Sequence, residues 1–96
     1  MINRADFAFT IGYEGSTAIV DAKARAAYGK LPVAELAEKG LYRAAFAAAV
    51  HSGSAEDMAV FMRVWNERAG TGHGSPEEFT RLFGVKLEEV RRVLAL

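Results

Sequence analysis

The sequence predicts an α+β fold that is mostly α-helical, with an N-terminal antiparallel β-hairpin packed on a bundle of five to six short helices. Apolar residues alternate with small or polar ones over 7–13, which is the period of a half-buried strand. After Asp21, apolar residues recur at helical spacing between glycines and capping residues. Chains divide into separate cores only at greater length than 96 residues. We therefore expect a single domain over 1–96.

The hairpin is predicted over about 7–20. Four residues share the apolar face of its first strand: Phe7, Phe9, Ile11 and Tyr13. Gly15 can adopt the positive φ of a tight turn, and the β-rich segment 17–20 follows it. Because two strands alone are marginally stable in water, we expect helices to cover the aromatic face.

Caps and glycines delimit the first two predicted helices, which span 22–28 and 33–39. Asp21 can accept the unpaired amide hydrogens of a first turn, and Pro32 suits the start of the next helix. Gly40 can end that helix in the left-handed conformation. The alternative is one longer helix through Gly40, which is disfavoured because a glycine inside a helix costs about 1 kcal/mol relative to alanine.

The next predicted helix, over 42–51, has an unusual apolar segment. Residues 44–50 include no polar side chain on any side of the helix. A helix that is apolar all round is generally buried all round. We therefore predict that this is the central helix of the domain.

A longer helix is predicted over 55–69, where Ser54 caps the first turn. Four residues form its core stripe at helical spacing: Met58, Phe61, Met62 and Trp65. Val60 and Val64 lie one turn apart, outside this stripe and among charged residues. We interpret them as candidate partner-binding residues, for a homodimer or for another protein. The alternative is a helix that its own chain buries on two sides.

The last two predicted helices, over 76–83 and 87–95, together resemble a helix-turn-helix segment. Gly84 would form the turn, and Val90 and Val93 have the spacing by which the second helix packs on the first. The resemblance implies that the second helix faces a DNA major groove. The DNA-binding residues would then be Lys86, Arg91 and Arg92.

The charge balance bears on the choice of partner. Lys and Arg number 12, as do Asp and Glu, and over 75–96 four basic residues are matched by four acidic ones. Nucleic-acid affinity depends mainly on positive charge that faces phosphates, so this balance disfavours a nucleic-acid partner. An anionic membrane surface is disfavoured for the same reason. No apolar run approaches the roughly 20 residues that span a bilayer.

The sequence carries no signature of catalysis. It has no cysteine, and its two histidines, His51 and His73, lack metal-ligand spacing. We therefore predict no cofactor, no metal and no enzymatic activity. The absence of cysteine and of an apolar N-terminal signal segment predicts a cytoplasmic protein.

These observations favour a small, non-catalytic protein-interaction domain inside the cell that binds another protein or itself. Its candidate surfaces are the strip formed by Val60 and Val64 and the last predicted helix. A DNA-binding regulator that uses the helix-turn-helix-like segment is the alternative hypothesis.

Overall fold

The structure, a computed structural model, describes residues 2–69, 76–85 and 90–96. Over these residues the chain forms six helices and three strands. In chain order they are α1 (Arg4–Ala8), β1 (Thr10–Glu14), β2 (Thr17–Val20), α2 (Ala22–Tyr28), α3 (Val33–Glu38), α4 (Tyr42–Ser52), α5 (Ala55–Ala69), α6 (Pro76–Phe83) and β3 (Arg92–Ala95). The predicted α+β fold, with an N-terminal hairpin packed on helices, is confirmed. Among the described residues, no helix is both long enough and apolar enough to cross a membrane.

β1 and β2 form the antiparallel hairpin. Tyr13 pairs with Ala18, and Glu14 pairs with Thr17 next to the turn. Gly15 in that turn has a φ of 61°, in the left-handed region that glycine enters without the steric cost of a Cβ atom. Gly15 thus has the positive φ that the sequence predicts for this turn.

The start of the hairpin differs from the prediction. The alternating pattern predicts a strand from Phe7, but Phe7 lies in α1, and β1 begins only at Thr10. The Asn3 side chain accepts a hydrogen bond from the Asp6 backbone N–H at 2.8 Å and so caps the first turn of α1. Phe7 is buried in this conformation as well. The helical turn therefore buries Phe7, the same apolar residue on which the strand prediction rests.

The C-terminal helix predicted over 87–95 is wrong, because residues 92–95 form β3; residues 86–89 lie outside the described residues. β3 runs parallel to β2, with Arg92 opposite Thr17. β1 covers one side of β2, and the backbone groups on the other side also need partners. Hydrogen bonding to that second side outweighs the local helix propensity of the segment, which is a weak preference.

The connection between α3 and α4 is a sharp break. Gly40 has a φ of 82°, and the backbone N–H of Leu41 donates to the carbonyl oxygen of Leu36 at 3.0 Å. This is the hydrogen bond by which a Schellman motif ends a helix. A single helix through Gly40 is thereby excluded.

α4 forms the centre of the core. Six consecutive residues of this helix are buried: Ala44, Ala45, Phe46, Ala47, Ala48 and Ala49. The neighbouring helices α1, α3 and α5 all pack against it. Because the alanine side chain is a single methyl group, these neighbours can approach α4 closely. They exclude water from all sides of its buried segment.

Phe46 is the one large side chain among those six, and it joins an aromatic cluster. Its ring centroid lies 5.4 Å from that of Phe61 and 5.6 Å from that of Phe79. Trp65 meets Phe79 edge-on, with a centroid distance of 5.2 Å. Aromatic pairs at these separations stabilise a core beyond their buried area. The cluster therefore holds α6, which carries Phe79, against α4 and α5.

We predict that Ala48→Leu lowers the free energy of unfolding by about 1–3 kcal/mol, because the added methylene groups overpack a fully buried position on α4. Ala26→Leu is the matched control, since Ala26 is exposed on α2. Urea denaturation measures both variants. A loss at Ala48 no larger than the change at Ala26 would show that α4 is not packed on all sides.

Candidate functional site

The strip formed by Val60 and Val64 is not an exposed surface. Val64 is only 2% exposed, and Val60 is half-buried and packs against the core. α3 and α4 both pack on α5, so the helix that carries the strip is covered on two sides by its own chain. The expectation that this strip is exposed is therefore not met, and the partner-binding role of Val60 and Val64 stays a prediction.

Of the residues suggested by the helix-turn-helix resemblance, the two that the structure describes, Arg91 and Arg92, do not lie on a recognition helix. Lys86 lies outside the described residues. Arg91 directly precedes β3 and Arg92 begins it, and both are exposed. Docking into a major groove by a helix-turn-helix needs the second helix of the motif, and residues 90–96 are not helical. The structure thus keeps these arginines on the surface but places them at the edge of a sheet.

β3 is an outer strand, because the strand order is β1-β2-β3. The backbone N–H of Leu96 donates to the Val20 carbonyl oxygen at 3.0 Å, and the Leu96 carbonyl accepts from the Ala22 N–H at 3.3 Å. Backbone groups of alternate residues point to opposite sides of a strand. The N–H and C=O groups of Val93 and Ala95 therefore point away from β2. We call the side of residues 92–96 that points away from β2 the β3 edge. No described strand pairs with it.

The side chains along the β3 edge are apolar and exposed, with exposed fractions of 40% for Val93, 50% for Leu94 and 71% for Leu96. Leu94 lies opposite Ile19. The residues that flank Ile19 on β2, Ala18 and Val20, are buried. Because side chains alternate between the faces of a sheet, Leu94 and Ile19 share the outer face. Unpaired backbone groups and apolar side chains thus occur together.

A crevice of about 340 Å³ opens beside the first residues of β3. Its lining residues are Ile2, Val90, Arg91, Arg92 and Val93. The Ser16 carbonyl oxygen accepts hydrogen bonds from the backbone N–H groups of Arg91 at 2.7 Å and Arg92 at 3.2 Å. The turn of the hairpin therefore fixes the backbone from which both guanidinium groups extend.

A second cleft, of about 430 Å³, lies between β1, α2 and the start of α4. Its charged groups already have structural partners. Arg43 donates from Nε to the Phe83 carbonyl oxygen at 2.9 Å and from Nη1 to the Thr10 carbonyl oxygen. Asp21 accepts from the Ala24 backbone N–H at 3.1 Å and caps α2. The Arg43 contacts tie α4 to the end of α6 and the start of β1, so the cleft is better explained by the fold than by a ligand.

His51 also has a structural role. Its Nε2 donates to the Ile2 carbonyl oxygen at 2.8 Å, which ties the N-terminal residues to α4; His73 lies outside the described residues. Within residues 2–69, 76–85 and 90–96, no three potential metal ligands come together.

Comparisons with models of known families, with curated proteins and with solved structures found no match to this chain. The function is therefore inferred from the geometry and chemistry of its surfaces.

Sequence reasoning missed β3 for a specific reason. Val90, Val93 and Leu94 have helical spacing, and a short apolar run is compatible with either a helix or a strand. The sequence does indicate a third strand indirectly. An isolated two-stranded hairpin is only marginally stable in water, and a third strand that pairs with its open side would stabilise it.

We predict that Val64→Ala lowers the free energy of unfolding by about 2 kcal/mol, because its methyl groups leave a buried site and a cavity remains. Val60→Ala is expected to cost less, since Val60 is half-buried. Both are measured by urea denaturation together with sedimentation. If Val64→Ala kept full stability but abolished a self-association, that result would support an interface formed by Val60 and Val64.

Proposed function

We propose that this protein is a non-catalytic protein-interaction domain that binds its partner by adding the partner's strand to the β3 edge. The observation that carries the proposal is the outward direction of the Val93 and Ala95 backbone groups, which follows from the hydrogen bonds of Leu96 to β2. Strand addition to an open sheet edge is a common mode of peptide recognition, in which backbone hydrogen bonds supply affinity.

The contrast between the two outer strands supports the choice of edge. β1 has a register shift between Thr10 and Gly12, and Arg43 donates to the Thr10 carbonyl oxygen. Bulges and blocked backbone groups are the usual means by which proteins protect a sheet edge. β3 pairs with β2 in unbroken register from Arg92 to Ala95. Of the two edges, the β3 edge is therefore the one that a further strand can use.

The exposed side chains add an apolar contribution. A strand at the β3 edge would lie beside Val93, Leu94 and Leu96, and cross-strand pairs of apolar side chains each contribute roughly 0.2–1 kcal/mol. The absence of cysteine fits our further proposal that the domain works in the cytoplasm, where disulfides are rare. A DNA-binding function has less support, because Arg92 lies on a strand.

We predict that Val93→Pro weakens the binding of strand-forming peptides by about tenfold, because it removes one outward N–H donor and opposes close approach of a partner. The peptides are selected from a random display library on the unmodified protein. Their dissociation constants are then measured by fluorescence anisotropy. The β2–β3 ladder should survive, since the Val93 N–H points away from β2.

Two further variants make this experiment decisive. Ala95→Pro removes the other outward donor and should weaken binding in the same way. Leu82→Ser removes a leucine that is 65% exposed on α6, and it should leave the affinity unchanged. Unaltered affinity in both proline variants contradicts the proposal. A library that yields no binder, together with a protein that stays monomeric in sedimentation, contradicts it equally.

A further inference from the structure

We infer that the partner strand is an extended acidic segment of another protein, whose carboxylates pair with Arg91 and Arg92 at the end of the β3 edge. This inference rests on the proposed function and adds the chemistry of the partner. It starts from two exposed arginines that are consecutive in the sequence, at the beginning of an open strand.

Both arginines lack a carboxylate partner within the described residues. The ion pairs among the described residues join Arg25 to Asp6 and Arg63 to Glu67. The acidic residue in the same cross-strand row as Arg92 is Glu14, because both pair with Thr17. Two strand spacings separate them, which amounts to about 10 Å between backbones. No described carboxylate therefore neutralises this end of the edge.

The surroundings of the two arginines suit an acidic side chain. The crevice is lined by Arg91 and Arg92 together with the apolar residues Ile2, Val90 and Val93. Methylene groups of a bound aspartate or glutamate can contact the apolar wall while the carboxylate meets the arginines. Arginine binds carboxylates through paired hydrogen bonds, which are stronger than those between neutral groups.

Backbone anchoring makes this recognition less costly. The N–H groups of Arg91 and Arg92 both donate to the Ser16 carbonyl oxygen, so binding does not have to order their backbone. Side chains on adjacent strands interact with the residues directly opposite them. The carboxylates are therefore expected at one end of the partner strand, opposite Arg92 and next to it.

The same register argument disfavours a second copy of this chain as the occupant. Antiparallel pairing that uses both outward residues would set Val93 opposite Ala95 of the other copy and Leu94 opposite its Leu94. Arg92 would then lie opposite Leu96 of the other copy. Among the described residues, no carboxylate side chain would then lie opposite the arginines, and each end of the paired strands would hold two arginines.

The test selects peptides from a random display library on the unmodified protein and on the Arg91→Glu/Arg92→Glu variant. The unmodified protein should enrich Asp and Glu several-fold at one end of an apolar, β-branched run. The variant should enrich Lys and Arg at that position instead. The control, Lys30→Glu/Lys39→Glu, changes the net charge equally at exposed positions away from β3 and should select acidic peptides as before.

A selected acidic peptide and its Asn/Gln counterpart then give the size of the effect. We expect about a tenfold difference in Kd at low salt, and a smaller difference at high salt because exposed ion pairs are screened.

Failure of the inference is distinguishable from failure of the proposed function. Peptides that bind through an apolar run, lose affinity in Val93→Pro and show no acidic preference overturn the inference and leave the proposed function intact. A dimer in sedimentation with no selected peptide identifies a second copy as the occupant and overturns it. Arginine-dependent binding of duplex DNA with no selected peptide overturns it in favour of nucleic acid.

Discussion

The packing of α4 on every side is the constraint on which the rest of the structure depends. Its buried alanines let α1, α3 and α5 approach one helix at once. Each of these neighbours would otherwise expose an apolar face, and burial of such faces is the main favourable contribution to folding. Phe46 extends the same core into the aromatic cluster that holds α6. A polar residue on any side of the buried segment would leave one neighbour without its contact surface.

The β3 edge follows from this arrangement. α1 packs on α4 and leads directly into β1, which sets the position of the hairpin. Ala18 and Val20 of β2 are buried in the core, so the sheet presents its other face to solvent. β2 receives β1 on one side and β3 on the other. Within the described residues, nothing continues the sheet beyond β3, and unpaired backbone groups remain beside Arg92.

The parts of the fold that local sequence determines could be predicted, and the parts that distant contacts determine could not. The turn at Gly15 and the break at Gly40 need a conformation that glycine supplies. The assignment of Phe7 to a strand failed because the Asn3 cap and burial against α4 favour a helical turn there. β3 depends on hydrogen bonds to residues far away in the chain. The two arginines were identified as candidate binding residues, but their place at a sheet edge depends on that pairing.

Native-state amide hydrogen exchange tests the central position of α4 most directly. The backbone N–H groups of Phe46 to Val50 should exchange only through global unfolding, with an opening free energy equal to the free energy of unfolding measured in denaturant. The outward N–H groups of Val93 and Ala95 should exchange far faster, since no described strand pairs with them. If the α4 amides exchanged at an opening free energy well below the global value, α4 would open by itself and could not be the element that holds the fold together.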